Sequence, residues 1–298
     1  MIKSFDDLLS LAQNKGAKRL SVAVAGDEEV LKAVKAAKDL NIIEPILVGD
    51  KEKIEKISQD IGLSLSDVEI IDERDGVSAS RIATQLVSTG QADILMKGLI
   101  DTSIIMRQVL DREIGLRTEK IISHAAVFDI ESYHKIFIVT DAAMNISPNL
   151  EQKKEIIENA VELAHSLGVE EPKVAIIAAV EKVSEKMEAT LHAKELAQMN
   201  KEGHITGCIV DGPFALDNAI SKEAAEHKGI DSVVAGDADI LLMPDIEAGN
   251  VLYKSLNFFA RSEGAGIILG TKAPVVLTSR ADSDEAKLRS IILAVLLT

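Results

Sequence analysis

The chain holds a single cysteine, Cys208, so no internal disulfide can form, which fits a reducing compartment. No apolar run approaches the roughly 20 residues needed to span a bilayer. The segment from Met1 to Ala12 reads as a short amphipathic helix without the apolar core or small-residue cleavage site of a signal peptide. There is no Lys/Arg-rich stretch to neutralise a row of phosphates, and 33 basic against 48 acidic residues leave a formal net charge of −15, so nucleic acid is not an expected partner. No linker and no internal repeat is visible. His124, His134, His165, His192, His204 and His227 lack the spacing of a zinc site, and no metal is expected. The expectation is a cytoplasmic protein with no membrane role.

The 298 residues, 47% of them apolar, suffice for one large or two medium lobes, and the charged 27% is mixed along the chain as on a solvated, folded surface. Short apolar runs alternate with segments of helical periodicity, the pattern of an α/β protein with mostly parallel sheets flanked by helices. Strands are expected at Leu20–Ala25, Pro45–Val48, Val68–Ile71, Asp93–Met96, Ile136–Val139, Val174–Ala178, Ile205–Val210, Ile240–Met243 and Val275–Thr278. Asp27 marks one helix start, and Asn149 with Gln152 forms a capping-box pattern after Pro148.

In open parallel sheets ligands bind beyond the carboxyl ends of strands, where helix N-termini offer free N–H groups. Four strand-to-helix turns stand out. The turn from Thr278 through Ser279, Arg280, Asp282, Ser283, Asp284 and Glu285 leads into a final helix whose Leu288, Ile291, Ile292, Val295 and Leu296 form one apolar face. An anion there would meet backbone N–H groups, the Ser279 hydroxyl and the forked guanidinium of Arg280; alternatively, Asp282 and Glu285 are a capping pair and Arg280 is paired with them. The turn Met96-Lys97-Gly98 precedes a helix carrying Arg107, with Asp101 or Thr102 as its expected cap. Lys97 and Arg107 could face one anion, or Arg107 could pair with Asp111 four positions on. After Pro244, a helix begins near Asp245 and contains Gly249, which costs about 1 kcal/mol relative to alanine and marks a close approach by a ligand or a packed helix. The fourth, Asp211-Gly212-Pro213-Phe214, reads as a reversal of the chain.

The stretches DGPFALDNA at 211–219, PDIEAGNVLYK at 244–254 and TSRADS at 278–283 together resemble the phosphate acetyl/butyryl-transferase family in order and spacing, with weaker similarity in TDAAMNISPN at 140–149 and ADILMKGL at 92–99. The compact length and the MKG and SRADSDEAK forms are more similar to the butyryl-transferring branch. The resemblance implies a two-lobed α/β fold like that of isocitrate and isopropylmalate dehydrogenases, with residues 1–126 and 265–298 in the first lobe and 127–264 in the second, and a homo-oligomer. It implies reversible transfer of a short acyl group, butyryl foremost, between coenzyme A and inorganic phosphate. These are substrates, so no cofactor is needed.

Residue by residue, the resemblance carries catalytic roles onto Ser279, Arg280 and Arg107. Lys97, Gly98, Asp211, Asp245, Gly249 and Asn250 become candidates for phosphate or substrate binding. Acetyl-transferring relatives have an arginine at the position of Phe258, for which Arg261 is the candidate substitute. They also have a catalytic aspartate where this chain has Ala286, which leaves Asp282, Asp284 and Glu285 as candidate bases. The implied mechanism is direct transfer in a ternary complex: the CoA thiolate attacks the acyl phosphate carbonyl, Arg280, Arg107 and Lys97 offset negative charge, and Ser279 donates a hydrogen bond.

The rivals are phosphate acetyltransferase, a nicotinamide-dependent decarboxylating dehydrogenase of the same fold, a non-catalytic acyl-CoA-binding protein, and a covalent route through Cys208. The Gly264-Ala265-Gly266 segment fails the dinucleotide spacing and enters a strand. Asp239 and Asp245 read as a strand start and a helix cap rather than as metal ligands beside Asp237. A cysteine in an apolar strand is more often packing than nucleophile.

Overall fold

Asp27, Asp50 and Asp75 each accept a hydrogen bond from the backbone N–H three residues on, at 3.0, 3.2 and 2.8 Å, and each opens a helix. The computed structural model describes residues 4–260, 262–280 and 282–298. In chain order the first elements are α1 (Phe5–Lys15), β1 (Lys18–Ala23), α2 (Glu28–Asp39), β2 (Ile43–Gly49), α3 (Lys51–Ile61), β3 (Glu69–Asp72), α4 (Gly76–Ser88), β4 (Ile94–Lys97) and α5 (Thr102–Val109). The middle of the chain forms β5 (Ser123–Asp129), β6 (Phe137–Thr140), α6 (Leu150–Ser166), β7 (Lys173–Ile177), α7 (Glu188–Lys201), β8 (Ile209–Phe214), α8 (Leu216–Ile220), α9 (Lys222–His227), β9 (Ile240–Leu242) and α10 (Ile246–Phe258). It ends with β10 (Glu263–Leu269), β11 (Val275–Val276) and α11 (Asp284–Leu297).

These elements fall into two units, Phe5–Lys120 with Ala265–Thr298, and Ile121–Gly264. A boundary at 126 would cut β5; the division precedes that strand, whose ladder with β6 keeps it whole.

In the unit that contains α1 and α11, the strands run in the order β3-β2-β1-β4-β11-β10, parallel except for the β10–β11 pair. The central strand β4 is buried throughout, as its apolar run requires, and the edge strand β3 exposes Glu69 and Asp72. The final helix packs on α1 and α2 and is buried along most of its length, with Leu293 and Ala294 joining the expected apolar residues. Its apolar surface therefore exceeds a single face.

In the other unit the order is β5-β6-β9-β7-β8, with only β5–β6 antiparallel. The Asn149–Gln152 capping box opens α6 as expected. The Gly212-Pro213 pair is not a reversal: it lies inside β8, where the register against β7 shifts between Ala175 and Ile177. Proline is tolerated there because β8 is the sheet's edge. The Gly264-Ala265-Gly266 segment is part of β10, not a strand-to-helix turn.

Asp237 ties three strand starts together. Its carboxylate meets Lys173 Nζ at the start of β7, and Lys135 Nζ (3.1 Å) and His134 Nε2 (2.7 Å) just before β6. Burial works to raise its pKa, but the hydrogen bonds from Lys173, His134 and Lys135 outweigh it and hold the carboxyl well below the usual range. Asp239 lies just before β9 and Asp245 caps α10, so the three aspartates do not gather round one point. Among the described residues no group of three metal-ligating side chains forms, and no helix is long and apolar enough to cross a membrane.

Because the folded pKa of Asp237 is depressed, its contribution to stability is complete above the unfolded value and is lost as pH falls through the folded one. Asp237→Asn should lower the urea-unfolding free energy at pH 7 by about 2 kcal/mol, and the gap between the two proteins should narrow as pH drops below about 4. A gap that does not change with pH would show that the carboxylate charge plays no part.

Candidate functional site

The adjacent strands β1, β4 and β11 are parallel, with Ala23 opposite Lys97 and Val276 opposite Met96, so the turns that follow them emerge together. The turn after β4 is seated on the end of β1: Gly98 N donates to Ala23 O (2.8 Å) and Leu99 N to Val24 O (2.9 Å). A Cβ on Gly98 would lie 2.3 Å from Val24 O, so only glycine fits. The N-termini of α2, α5 and α11 open from these same turns and add partial positive charge.

Five charged side chains meet here. Lys97 is 4% exposed, and its Nζ donates to Gly98 O (3.2 Å) and Ile100 O (3.1 Å). Burial pushes its pKa down, and the nearby Arg280 and Lys287 charges add to the effect. Lys287 is 3% exposed and donates to Asp282 O, with Ser279 O at 3.5 Å. Arg280 Nη2 meets Asp101 Oδ1 at 2.6 Å. Asp27 completes the lining of a cavity of about 10 Å³, room for one water-sized group, which Gly98, Thr278 and Ser279 also border. In chemical terms the cluster is an anion hole with two carboxylates, Asp27 on its lining and Asp101 on Arg280.

The expected capping pair is corrected: α11 is capped by Ser283, whose Oγ accepts from Ala286 N, while Asp282 Oδ2 accepts from Ser279 N at 2.7 Å and folds the turn. The expected partner of Arg280 is likewise replaced by Asp101, on a neighbouring turn. Burial, then the hydrogen-bonded Glu285, raises the pKa of Asp284, and backbone and Ser283 hydrogen bonds lower that of Glu285. Neither borders the cavity, and nor does Arg107. Arg107 lies on α5 at a separate open depression with Arg112 and Arg117, and Asp111 is paired with Arg81 instead (3.8 Å).

Three participants escaped the sequence reading. Asp27 was read only as a cap, and Asp101 only as a possible one. Lys287 sits on the buried stripe of α11 with Ser290, Ile291 and Ala294, and a charge at that spacing was the available signal.

In the unit Ile121–Gly264, the other candidates have structural partners. Asp245 Oδ1 accepts from Ala248 N (2.8 Å), and Asn250 Nδ2 donates to Ala142 O (3.1 Å). A Cβ on Gly249 would lie 2.3 Å from Asp141 O, so the close approach is made by the 141–142 backbone rather than by a helix. Asp211 Oδ1 accepts from Gly212 N (2.8 Å). Arg261 lies outside the described residues. Phe258 ends α10 and is 73% exposed.

The model of a family described as "Phosphate acetyl/butaryl transferase" matches residues 73–295. A phosphate butyryltransferase of Clostridium beijerinckii is 53% identical over 99% of this chain and 98% of its own. The chain belongs to the phosphate acetyl/butyryl transferase family. Another relative, a phosphate acetyltransferase of Thermotoga maritima, is 48% identical over 97% of this chain and 98% of its own. A crystal structure of a branched-chain phosphotransacylase from Enterococcus faecalis superposes with a TM-score of 0.84 at 36% identity, covering 94% of this chain and 98% of that one. The family match takes in Lys97, Asp101, Ser279, Arg280 and Lys287 but begins after Asp27.

Cys208 precedes β8 instead of lying within a strand, and burial pushes its thiol up to about 11. The raised pKa suppresses the reactive thiolate at neutral pH. Native protein should therefore react with iodoacetamide at pH 8 at least about tenfold more slowly than urea-unfolded protein; equal rates would contradict the buried, protonated thiol.

Proposed function

We propose that the protein catalyses reversible transfer of a short acyl group, butyryl foremost, between coenzyme A and inorganic phosphate, by direct transfer in a ternary complex. The observation that carries this reading is the meeting of Lys97, Arg280 and Lys287 at three parallel strand ends, in a chain whose net charge is −15. Phosphate oxygens take the place of Asp101 at Arg280, and Lys97 holds the charge from below. In the acyl-phosphate direction the CoA sulfur attacks the carbonyl carbon; the C–S bond forms, the C–O bond to phosphorus breaks, and phosphate leaves with the bonding pair. The Ser279 hydroxyl donates to the carbonyl oxygen as charge builds there.

Asp27 is a better candidate for accepting the thiol proton than Asp282, Asp284 or Glu285, because it alone of the four borders the cavity. Phosphate acetyltransferase is the second reading, supported by the relative of that name; acyl-chain choice rests on pocket size, about 1 to 3 kcal/mol per methylene. The dehydrogenase reading has no support from the glycines of β10, which do not lie in a pyrophosphate-binding turn. The isocitrate/isopropylmalate dehydrogenase-like form of the fold is part of the proposal, supported by the return of residues Ala265–Thr298 to the unit of Phe5–Lys120. So is a cytoplasmic homo-oligomer, supported by the exposed Val251, Phe258 and Phe259.

Release of CoA thiol from acetyl-, propionyl-, butyryl- and isobutyryl-CoA, with and without phosphate, tests the reading. Phosphate-dependent release fastest with butyryl-CoA is expected; none with any substrate would discard the enzyme assignment. Arg280→Ala should lower kcat/KM for phosphate by roughly 10²- to 10³-fold. Asparagine also caps helices well, so Asp27→Asn isolates the carboxylate, and kcat should fall by about 10²-fold or more. Unchanged kcat would remove Asp27 from the reaction.

A further inference from the structure

A hydroxyl buried in protein costs stability unless it is hydrogen-bonded, so most are bonded. This chain follows the rule at Ser21, Ser80, Thr84, Thr140, Thr190 and Ser290, whose hydroxyls donate to main-chain carbonyls at 2.7 to 3.0 Å. Ser123 Oγ follows it as an acceptor, from Asn159 Nδ2 at 3.0 Å. Among the described buried residues, Ser58 and Thr278 depart from it. Ser58 Oγ, on α3, is closed off from solvent as well as from partners. Thr278 is 5% exposed, its Oγ1 makes no hydrogen bond among the described residues, and the residue borders the cavity shared with Lys97 and Lys287.

The sheet explains why a threonine arrives there. β11 lies on β4 with Val276 opposite Met96. Carried two residues on, that register sets Thr278 level with Gly98, which brings no side chain of its own, and both residues border the cavity. A threonine is stiff at χ1 because its Cβ is branched, so a buried one holds its hydroxyl in a fixed direction. The neighbouring cations do not use it: Lys97 is bonded to Gly98 O and Ile100 O, and Lys287 to Asp282 O and Ser279 O. Ser279, the next residue, is exposed, so the two adjacent hydroxyls stand at different depths.

We propose that Thr278 is a further catalytic residue, whose hydroxyl donates a hydrogen bond to an oxygen of the phosphate held by Lys97, Lys287 and Arg280, an assignment that rests on the acyl-transfer reading above. The bound phosphate supplies the acceptor that the fold does not. In return, the hydroxyl gives the anion a directed contact at a point where the two lysines act as compact point charges. Thr278 then orients the phosphate while Ser279 serves the carbonyl oxygen, and consecutive residues of one turn hold the two reacting groups together.

Thr278→Val removes the hydroxyl at nearly constant volume, and Thr278→Ser keeps it. The valine variant should lower kcat/KM for phosphate roughly 10- to 100-fold, the contribution of one hydrogen bond to a charged group, while KM for butyryl-CoA stays within about twofold. The serine variant should stay within about threefold of the parent, since the donor is retained. The thermal midpoint separates this role from a structural one: removing a hydroxyl without a partner in the fold should leave Thr278→Val at or above the parent's midpoint. A lowered midpoint in Thr278→Val, unchanged kinetics in it, or a serine variant as impaired as the valine one would each overturn the assignment. If the parent releases no CoA with phosphate, the function proposal fails on its own, and calorimetric titration with inorganic phosphate decides Thr278 separately. Binding by the parent roughly tenfold or more tighter than by Thr278→Val supports the contact; equal affinities, or no binding by the parent, refute it.

Discussion

Where a side chain would begin on Gly98, the carbonyls of Val24 and Ala23 already stand, 2.3 and 2.5 Å from the position of a Cβ. The turn after β4 can therefore lie directly on the end of β1, and the amides of Gly98 and Leu99 bond to those same carbonyls. Much of the candidate site depends on this seating. It buries Lys97 beneath its own turn, with Gly98 O and Ile100 O as acceptors. It also delivers Asp101, and with it the start of α5, to the side of Arg280. A turn held further from β1 would leave Lys97 in solvent, where an ammonium binds anions weakly.

The way the buried cations are satisfied matters as much as their burial. A buried charge is costly unless it is hydrogen-bonded. Lys97 and Lys287 meet that requirement with main-chain carbonyls: Gly98 and Ile100 for one, Asp282 and Ser279 for the other. Carbonyls accept the ammonium protons without supplying a full negative charge, so the positive potential stays open to a third party. The contrast is the Asp237 cluster, where Lys135 and Lys173 share carboxylates and little net charge remains. Both sites use lysines. The first keeps its charge available for an anion, and the second uses its charge to hold strand starts together.

Much of the architecture was legible because parallel strands buried on both faces read as apolar runs and helix caps have short side chains at fixed offsets. Ser279, Arg280, Lys97 and Gly98 were found by applying the strand-end rule to those runs, and they share one cavity. The strand β5 went unread: its Ala125-Ala126 pair has low strand propensity, and only burial against β6 makes the segment extended. Gly212-Pro213 was read as a reversal because the edge position that admits proline is a property of the sheet order, not of the local sequence. Lys287 and Asp101 were missed for a related reason. Lys287 bonds within its own turn, but its cavity neighbour Lys97, like Arg280 for Asp101, is brought to it by β4 lying next to β11, a pairing between segments far apart in the chain. Arg107 was grouped with Arg280 through the family resemblance, yet its position along α5 carries it to a different surface.

The small size of the cavity bears on how an anion enters. At about 10 Å³ the space holds a water, not a phosphate, so binding requires something to give way. The two lysines are buried, whereas Arg280 and Asp101 are 59% and 67% exposed. An ion pair that exposed contributes about 0 to 1 kcal/mol, so separating it costs little. Asp101 has an alternative use for its carboxylate, since it is the N-cap residue of α5 and makes no side-chain cap bond while paired with Arg280. Turning back to cap α5 would recover about 1 kcal/mol. The exchange of Asp101 for a phosphate at Arg280 that the proposed reaction requires is therefore close to balanced before the phosphate's own contacts are counted. A near-balanced exchange suits a reversible transfer, in which the same anion must be held in one direction and released in the other. Under the function we propose, Lys97 and Lys287 fix where the phosphate sits, and the exposed ion pair sets how readily it comes and goes.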